Sequence, residues 1–148
     1  MATTWTRRLF LGTFGAGIAL SDVTSLAAQG PATSPGQGAG EVEKDVVFGK
    51  GGDVDLHCDI YRPPAASSKR MAILHFHGGG FAGGNKNNLA ARLTPLTAMG
   101  YVNIAVQYRL SGVARWPAQI EDVKAAIRWT RANASRLGID PRRIGVAG

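Results

Sequence analysis

Three short, nearly unbroken apolar runs constrain the fold of this chain more than any other feature: "MAILHF" (Met71–Phe76), "YVNIAVQYRL" (Tyr101–Leu110) and "IGVAG" (Ile144–Gly148). A strand without polar alternation must be covered on both faces. The segments between the runs can provide the covers. "NKNNLAARLTPLTAMG" places Leu89, Leu93 and Leu96 at helical spacing, with Gly100 suited to a helix C-terminus and Pro95 implying a kink or break. "PAQIEDVKAAIRWTRANASRLG" puts Ile120, Val123, Ile127, Ala134 and Leu137 on one stripe, with Pro117 at its start and Gly138 at its end. Buried strands alternating with amphipathic helices give an α/β fold with a mostly parallel sheet, helices on both faces and right-handed crossovers. Upstream, "VEKDVVF" and "DVDLHCDIY", joined by "GKGG", read as two amphipathic strands forming an antiparallel flank.

The chain before Glu41 has a different character. "TRRLFLG" (Thr6–Gly12) carries the pair Arg7 and Arg8, followed by a modestly apolar stretch and by small residues around Ala27 and Ala28 where a signal peptidase can cut. The run resembles a bacterial twin-arginine export signal. Residues 1–28 are therefore expected to be an export signal, and "QGPATSPGQGAG" (29–40) a flexible linker. The folded part is expected over 41–148, in a protein exported to the periplasm or beyond. The apolar stretch is too short and too rich in glycine for stable membrane insertion. Cys58 is the only cysteine, so no internal disulfide forms, and its neighbours Leu56 and Ile60 make it a packing residue. The net charge of +7 is dispersed, without a basic stripe interleaved with aromatics, which argues against a nucleic-acid partner.

The first of the three apolar runs, Met71–Phe76, is followed by its opposite. "HFHGGGFAGG" (residues 75–84) holds Gly78, Gly79, Gly80, Gly83 and Gly84. Each glycine in an ordered element costs about 0.5–1 kcal/mol relative to alanine, so five in seven positions imply a local need for bare backbone. Three readings compete. One is a turn without chemistry. Another is nucleotide binding, since Gly78, Gly80 and Gly83 satisfy G-x-G-x-x-G, although Gln107, Tyr108 and Arg109 stand where the dinucleotide fold expects an acidic residue. The third is an oxyanion hole, in which consecutive glycines let amide N–H groups turn toward a tetrahedral intermediate. His75 and His77, two apart on a strand, share a face, but no Cys, His or Asp nearby completes a metal site, so neither metal nor cofactor is expected. His57 reads as a surface residue.

His77-Gly78-Gly79-Gly80-Phe81 matches the HGGG-type motif of esterases and lipases. With "YRLSGVARWPAQIEDVKAAIRWTRANASRLGIDPRRIGVAG" (Tyr108–Gly148), the chain from about residue 43 onward resembles α/β-hydrolases of the hormone-sensitive-lipase-like and feruloyl-esterase-like (BD-FAE) type. The resemblance implies an α/β-hydrolase fold, truncated after the fifth strand, and a serine carboxylesterase acting on a small-molecule ester. It implies oxyanion donors at Gly79 and Gly80, with His77, Gly78 and Phe81 as motif support and His77 structural rather than the catalytic base. In such enzymes the nucleophile sits in G-x-S-x-G after the fifth strand, with the acid and histidine later. Gly148 would be the first glycine of that motif. No catalytic triad residue is therefore expected within the chain, which by itself should be inactive and poorly soluble. A non-catalytic binding protein with the same fold is the alternative.

Overall fold

The computed structural model describes residues 40–148. The expected export signal and all of the linker but Gly40 lie outside the described residues.

Five strands form one sheet: β1 (Glu41–Gly51), β2 (Val54–Arg62), β3 (Ala72–Phe76), β4 (Val102–Val106) and β5 (Ile144–Ala147). Their order is β1-β2-β4-β3-β5. β2 runs antiparallel to both of its neighbours, whereas β3 is parallel to β4 and β5. Four strands thus point one way and only β2 is reversed. The β1–β2 turn lies at Gly52 and Asp53, a little beyond the "GKGG" expectation, because β1 continues through Gly51 and Gly52 takes the left-handed φ of 63° that a tight turn demands.

Side-chain alternation divides the core. Leu56, Cys58, Ile60, Ala72, Leu74, Val102, Ile104 and Val106 face one side, where they meet Ala126 of α2 (Ala118–Ala132) and Ala134 and Leu137 of α3 (Ala134–Leu137). Tyr61 and Ala105 face the other side, against Leu89 and Leu93 at α1 (Ala90–Ala98). One helical layer therefore covers each face. Cys58 is buried, and burial pushes its thiol up to about 12, in keeping with a packing role.

Three local expectations are corrected. α1 is neither broken nor ended by Pro95 and runs on to Ala98. Pro95 and Ala91, whose carbonyl loses its usual partner, both lie on the exposed side, where water can replace the missing bond. The long second helix stops at Ala132, where Asn133 leaves the helical region at φ −96° and ψ 17° with its side-chain amide donating to the Trp129 carbonyl; α3 is a separate turn. The buried line of α2 contains Ala118, Gln119, Asp122, Ala126 and Thr130, while Ile120, Val123 and Ile127 are half-buried. Asp122 is inside because Arg109 grips it through two parallel bonds, Nη2 to Oδ1 at 2.7 Å and Nε to Oδ2 at 2.9 Å.

His75 lies in the sheet, on the α1 side. The Asn103 side-chain N–H groups donate to Thr97 Oγ1 and to the Tyr101 carbonyl, so Asn103 Oδ1 accepts from His75 Nε2 at 2.9 Å. Its Nδ1 is buried without a partner among the described residues. Burial holds the ring below the ordinary histidine range, partly offset by Asn103. The unfolded chain takes up a proton at His75 near pH 6.5, whereas the folded chain resists it, so lowering the pH favours unfolding. Urea titrations from pH 7.5 to 5 should show a falling midpoint, and His75→Gln should flatten that fall; an identical slope in the variant would contradict the assignment.

Candidate active site

β3 lies between β4 and β5, and the glycine loop begins where β3 ends. His75 pairs with Ala147, and a Cβ placed on Gly148 would stand 3.8 Å from the Phe76 carbonyl oxygen. The loop and the end of β5 therefore share the carboxyl edge of the sheet, where α/β folds form their sites.

The first loop residue, His77, is buried, stacked on Tyr108 with ring centroids 4.4 Å apart and planes 13° apart. Tyr108 Oη donates to the His77 carbonyl at 2.7 Å. The protonation of the ring follows from its neighbours. The Lys86 backbone N–H must find an acceptor and donates to Gln107 Oε1 at 3.0 Å. Gln107 Nε2 then faces His77 Nε2 at 3.1 Å and donates to it. The His77 proton accordingly sits on Nδ1 and is donated to the Gly78 carbonyl at 3.0 Å.

Two peptide planes then determine where the next amides point. In a trans peptide the carbonyl and the following N–H point in opposite directions. With the Gly78 carbonyl turned onto His77, the Gly79 N–H points away from His77. The Gly79 carbonyl accepts from the Ala82 and Gly83 amides, each at 3.1 Å, so the Gly80 N–H points away from that turn. Neither the Gly79 nor the Gly80 amide donates to another described residue. Both glycines are exposed.

This geometry explains which glycines are required. Gly79 has φ 128°, and a Cβ there would fall on the Gly83 carbonyl; at Gly84, with φ 95°, it would fall on His77 Nδ1 and the Gly78 carbonyl. Gly78 has open space around it and no positive φ. Phe81 adopts φ 65°, a costly conformation for a bulky residue. Its carbonyl accepts from the Ser111 N–H at 2.8 Å, and its half-exposed ring meets Tyr108 edge-on and Trp116 at a tilt.

The structure thus brings His77, Gly78, Gly79, Gly80 and Phe81 into one hydrogen-bonded turn. It opposes the nucleotide reading. After Gly84 the chain enters a 3-10 turn, Lys86–Leu89, capped by Asn85, so Gly78, Gly80 and Gly83 do not lead into the N-terminus of an α-helix that could receive a phosphate. His75 and His77 do not act as a pair: one is bound to Asn103, the other to Gln107 and Gly78. His57 is half-buried rather than on the surface, and its carbonyl accepts from the Gln107 N–H. No group of three metal-binding side chains and no helix long and apolar enough to cross a membrane occurs among the described residues.

Sequence reasoning missed the support beneath the loop. Asp59, fully buried on β2, accepts from Lys86 Nζ at 2.6 Å, Lys44 Nζ at 2.8 Å and the Asp45 N–H at 3.0 Å. Burial pushes its carboxyl up, but these three donors outweigh it and hold it below the usual carboxylate range. Lys86 also pairs with Asp45 at 2.8 Å, at a bulge where Asp45 takes φ 54°. Alternation gave no signal for it, because Asp59 falls in step with Asp53, Asp55 and His57, opposite the apolar face of Leu56, Cys58 and Ile60.

Residues 58–148 match the family described as BD-FAE. The chain belongs to the BD-FAE family. It is 37% identical over 102 residues to Carboxylesterase NlhH of Mycobacterium tuberculosis, covering 68% of this chain and 32% of that protein. Over 101 residues it is 37% identical to Arylacetamide deacetylase-like 2 of Homo sapiens, covering 64% of this chain and 25% of that one. The BD-FAE chain thus spans a third or less of these curated relatives. A Thermogutta terrifontis esterase, Est2, superposes with TM-score 0.64 and 32% identity, over 75% of this chain and 40% of its own. Related structures of Est2 are described as propionate-bound and butyrate-bound. The sheet is accordingly part of an α/β-hydrolase fold.

Replacing Gly79 or Gly84 by alanine forces both a clash and a strained φ. Each should lower stability by more than about 2 kcal/mol, whereas Gly78→Ala should stay within about 0.5–1 kcal/mol of the parent, as read by chemical denaturation. Equal losses at all three positions would contradict the loop geometry.

Proposed function

We propose that the whole protein is a serine carboxylesterase for small-molecule esters and that the amides of Gly79 and Gly80 are its oxyanion donors. The supporting observation is the pair of outward-facing amides without protein acceptors, rooted beside the tip of β5. In this reading Gly148 opens the G-x-S-x-G turn, which places the serine next to the loop. The serine oxygen attacks the ester carbonyl while a histidine takes its proton, and the carbonyl oxygen becomes an oxyanion received by the two amides. The histidine returns that proton to the departing alcohol as the acyl-enzyme forms, and water, giving a proton to the same histidine, then hydrolyses the acyl-enzyme and frees the serine. The amides are held before the charge develops, so they need no reorganisation, and losing one such donor costs about 2.7–4 kcal/mol. His77 takes no proton in this scheme: its Nδ1–H is committed to Gly78 and its Nε2 to Gln107. No metal or cofactor is required.

The propionate and butyrate described with Est2 favour short acyl groups as first substrates. The complete protein should hydrolyse p-nitrophenyl butyrate, and replacing the serine two positions past Gly148 by alanine should abolish turnover. Binding of the ester without hydrolysis by the parent protein would instead favour the non-catalytic alternative.

We also propose twin-arginine export, on the strength of Arg7, Arg8 and the following Leu9-Phe10-Leu11. Replacing Arg7 and Arg8 by lysine should retain the protein in the cytoplasm; unchanged export would contradict this route.

A further inference from the structure

We propose that Gln107 is a positioning residue for the oxyanion donors: by donating to His77 Nε2 it restricts the ring proton to Nδ1 and thereby keeps the Gly78 carbonyl inward and the Gly79 amide outward. The inference rests on the esterase reading for its effect on turnover, but not for its effect on the loop.

Gln107 follows β4 and is held at several points. Its backbone N–H donates to the His57 carbonyl, its Oε1 accepts from the Lys86 N–H, and its Nε2 donates to both His77 Nε2 and the Tyr108 carbonyl. The side-chain amide therefore cannot flip without losing three bonds. Lys86, whose backbone fixes that orientation, is itself anchored by its ammonium on Asp59 and Asp45. The chain of constraint runs from the buried Asp59 carboxylate through Lys86 and Gln107 to His77, and from there to one peptide plane. Tyr108 stacks on the face of the His77 ring, while the Lys86 ammonium is directed to its two carboxylates.

Glutamate at 107 can still accept from the Lys86 N–H, but it has no donor for His77. A neutral His77 ring would then move its proton to Nε2 and leave a bare Nδ1 against the Gly78 carbonyl. Two acceptors repel, and the Gly78–Gly79 peptide should turn.

The test uses the 15N-labelled complete protein and its Gln107→Glu variant near pH 8. Long-range proton–nitrogen spectra should show the His77 proton on Nδ1 in the parent and on Nε2 in the variant, with a shift of the Gly79 amide nitrogen. With p-nitrophenyl butyrate, kcat should fall about tenfold to a hundredfold, below the effect of removing a donor outright, while KM stays within about threefold, because the donors act mainly on the transition state. Gln107→Met, which keeps the size but removes both the donor to His77 and the acceptor of the Lys86 N–H, should show a smaller kcat loss and a mixture of ring tautomers, and it replaces the glutamate variant if that protein does not fold. A parent ring protonated on Nε2, or unchanged kcat in the folded variants, would overturn the proposal. An inactive parent with the expected tautomers and Gly79 shift would overturn the esterase reading while supporting the hold of Gln107 on the loop.

Discussion

A trans peptide cannot turn its carbonyl inward without turning its amide outward, and the glycine loop of this BD-FAE chain uses that constraint twice. The Gly78 carbonyl is tied to His77 and the Gly79 carbonyl to the Ala82 and Gly83 amides. The Gly79 and Gly80 N–H groups are left pointing outward without a partner among the described residues. An unpaired polar group is ordinarily a liability. Here Gly79 and Gly80 are exposed, so water can satisfy both amides.

The loop stays in this shape because the sheet beneath it is well determined. β3 is bonded on both sides, Tyr108 stacks on His77 and fixes its carbonyl, and the Ser111 N–H holds the strained Phe81. Farther down, one buried carboxylate joins three donors from two separate parts of the chain, Lys44 and Asp45 on β1 and Lys86 beyond the glycine loop. Burying a charge is costly, and Asp59 stays ionised only because Lys86, Lys44 and the Asp45 N–H surround it. Removing Lys86 would take away the more deeply buried of its two cations and leave Asp59 with only Lys44 and the Asp45 N–H. Buried ion clusters are weak sources of stability but strong determinants of geometry, and this one fixes the backbone of Lys86.

The sequence made the outline of this arrangement readable. The unbroken apolar runs of β3 and β4 required cover on both faces, and the structure supplies α1 on one face and α2 with α3 on the other; the run of β5 is not covered in this way, because β5 lies at the sheet edge with Val146 exposed. The glycines could be interpreted because their entropic cost needed a reason, and Gly79 and Gly84 have one in their close contacts. Other features were not legible. The apolar spacing of α2 favoured Ile120, Val123 and Ile127, whereas Asp122 went inside because Arg109, thirteen residues earlier, neutralises it. Gln107, Lys86 and Asp59 are linked by side-chain bonds spanning 21 to 30 residues, and neither periodicity nor local propensity encodes such pairings.

The central claim is that the Gly79 and Gly80 amides are aimed at an oxyanion. It is tested most directly by a crystal structure of the complete protein inhibited by an alkyl phosphonate, whose anionic oxygen mimics that of the tetrahedral intermediate. The account predicts that this oxygen lies about 2.7–3.1 Å from both the Gly79 and Gly80 nitrogens, with the Gly78 carbonyl still on His77 Nδ1. A phosphonyl oxygen directed elsewhere, with either amide bonded to the protein, would contradict it.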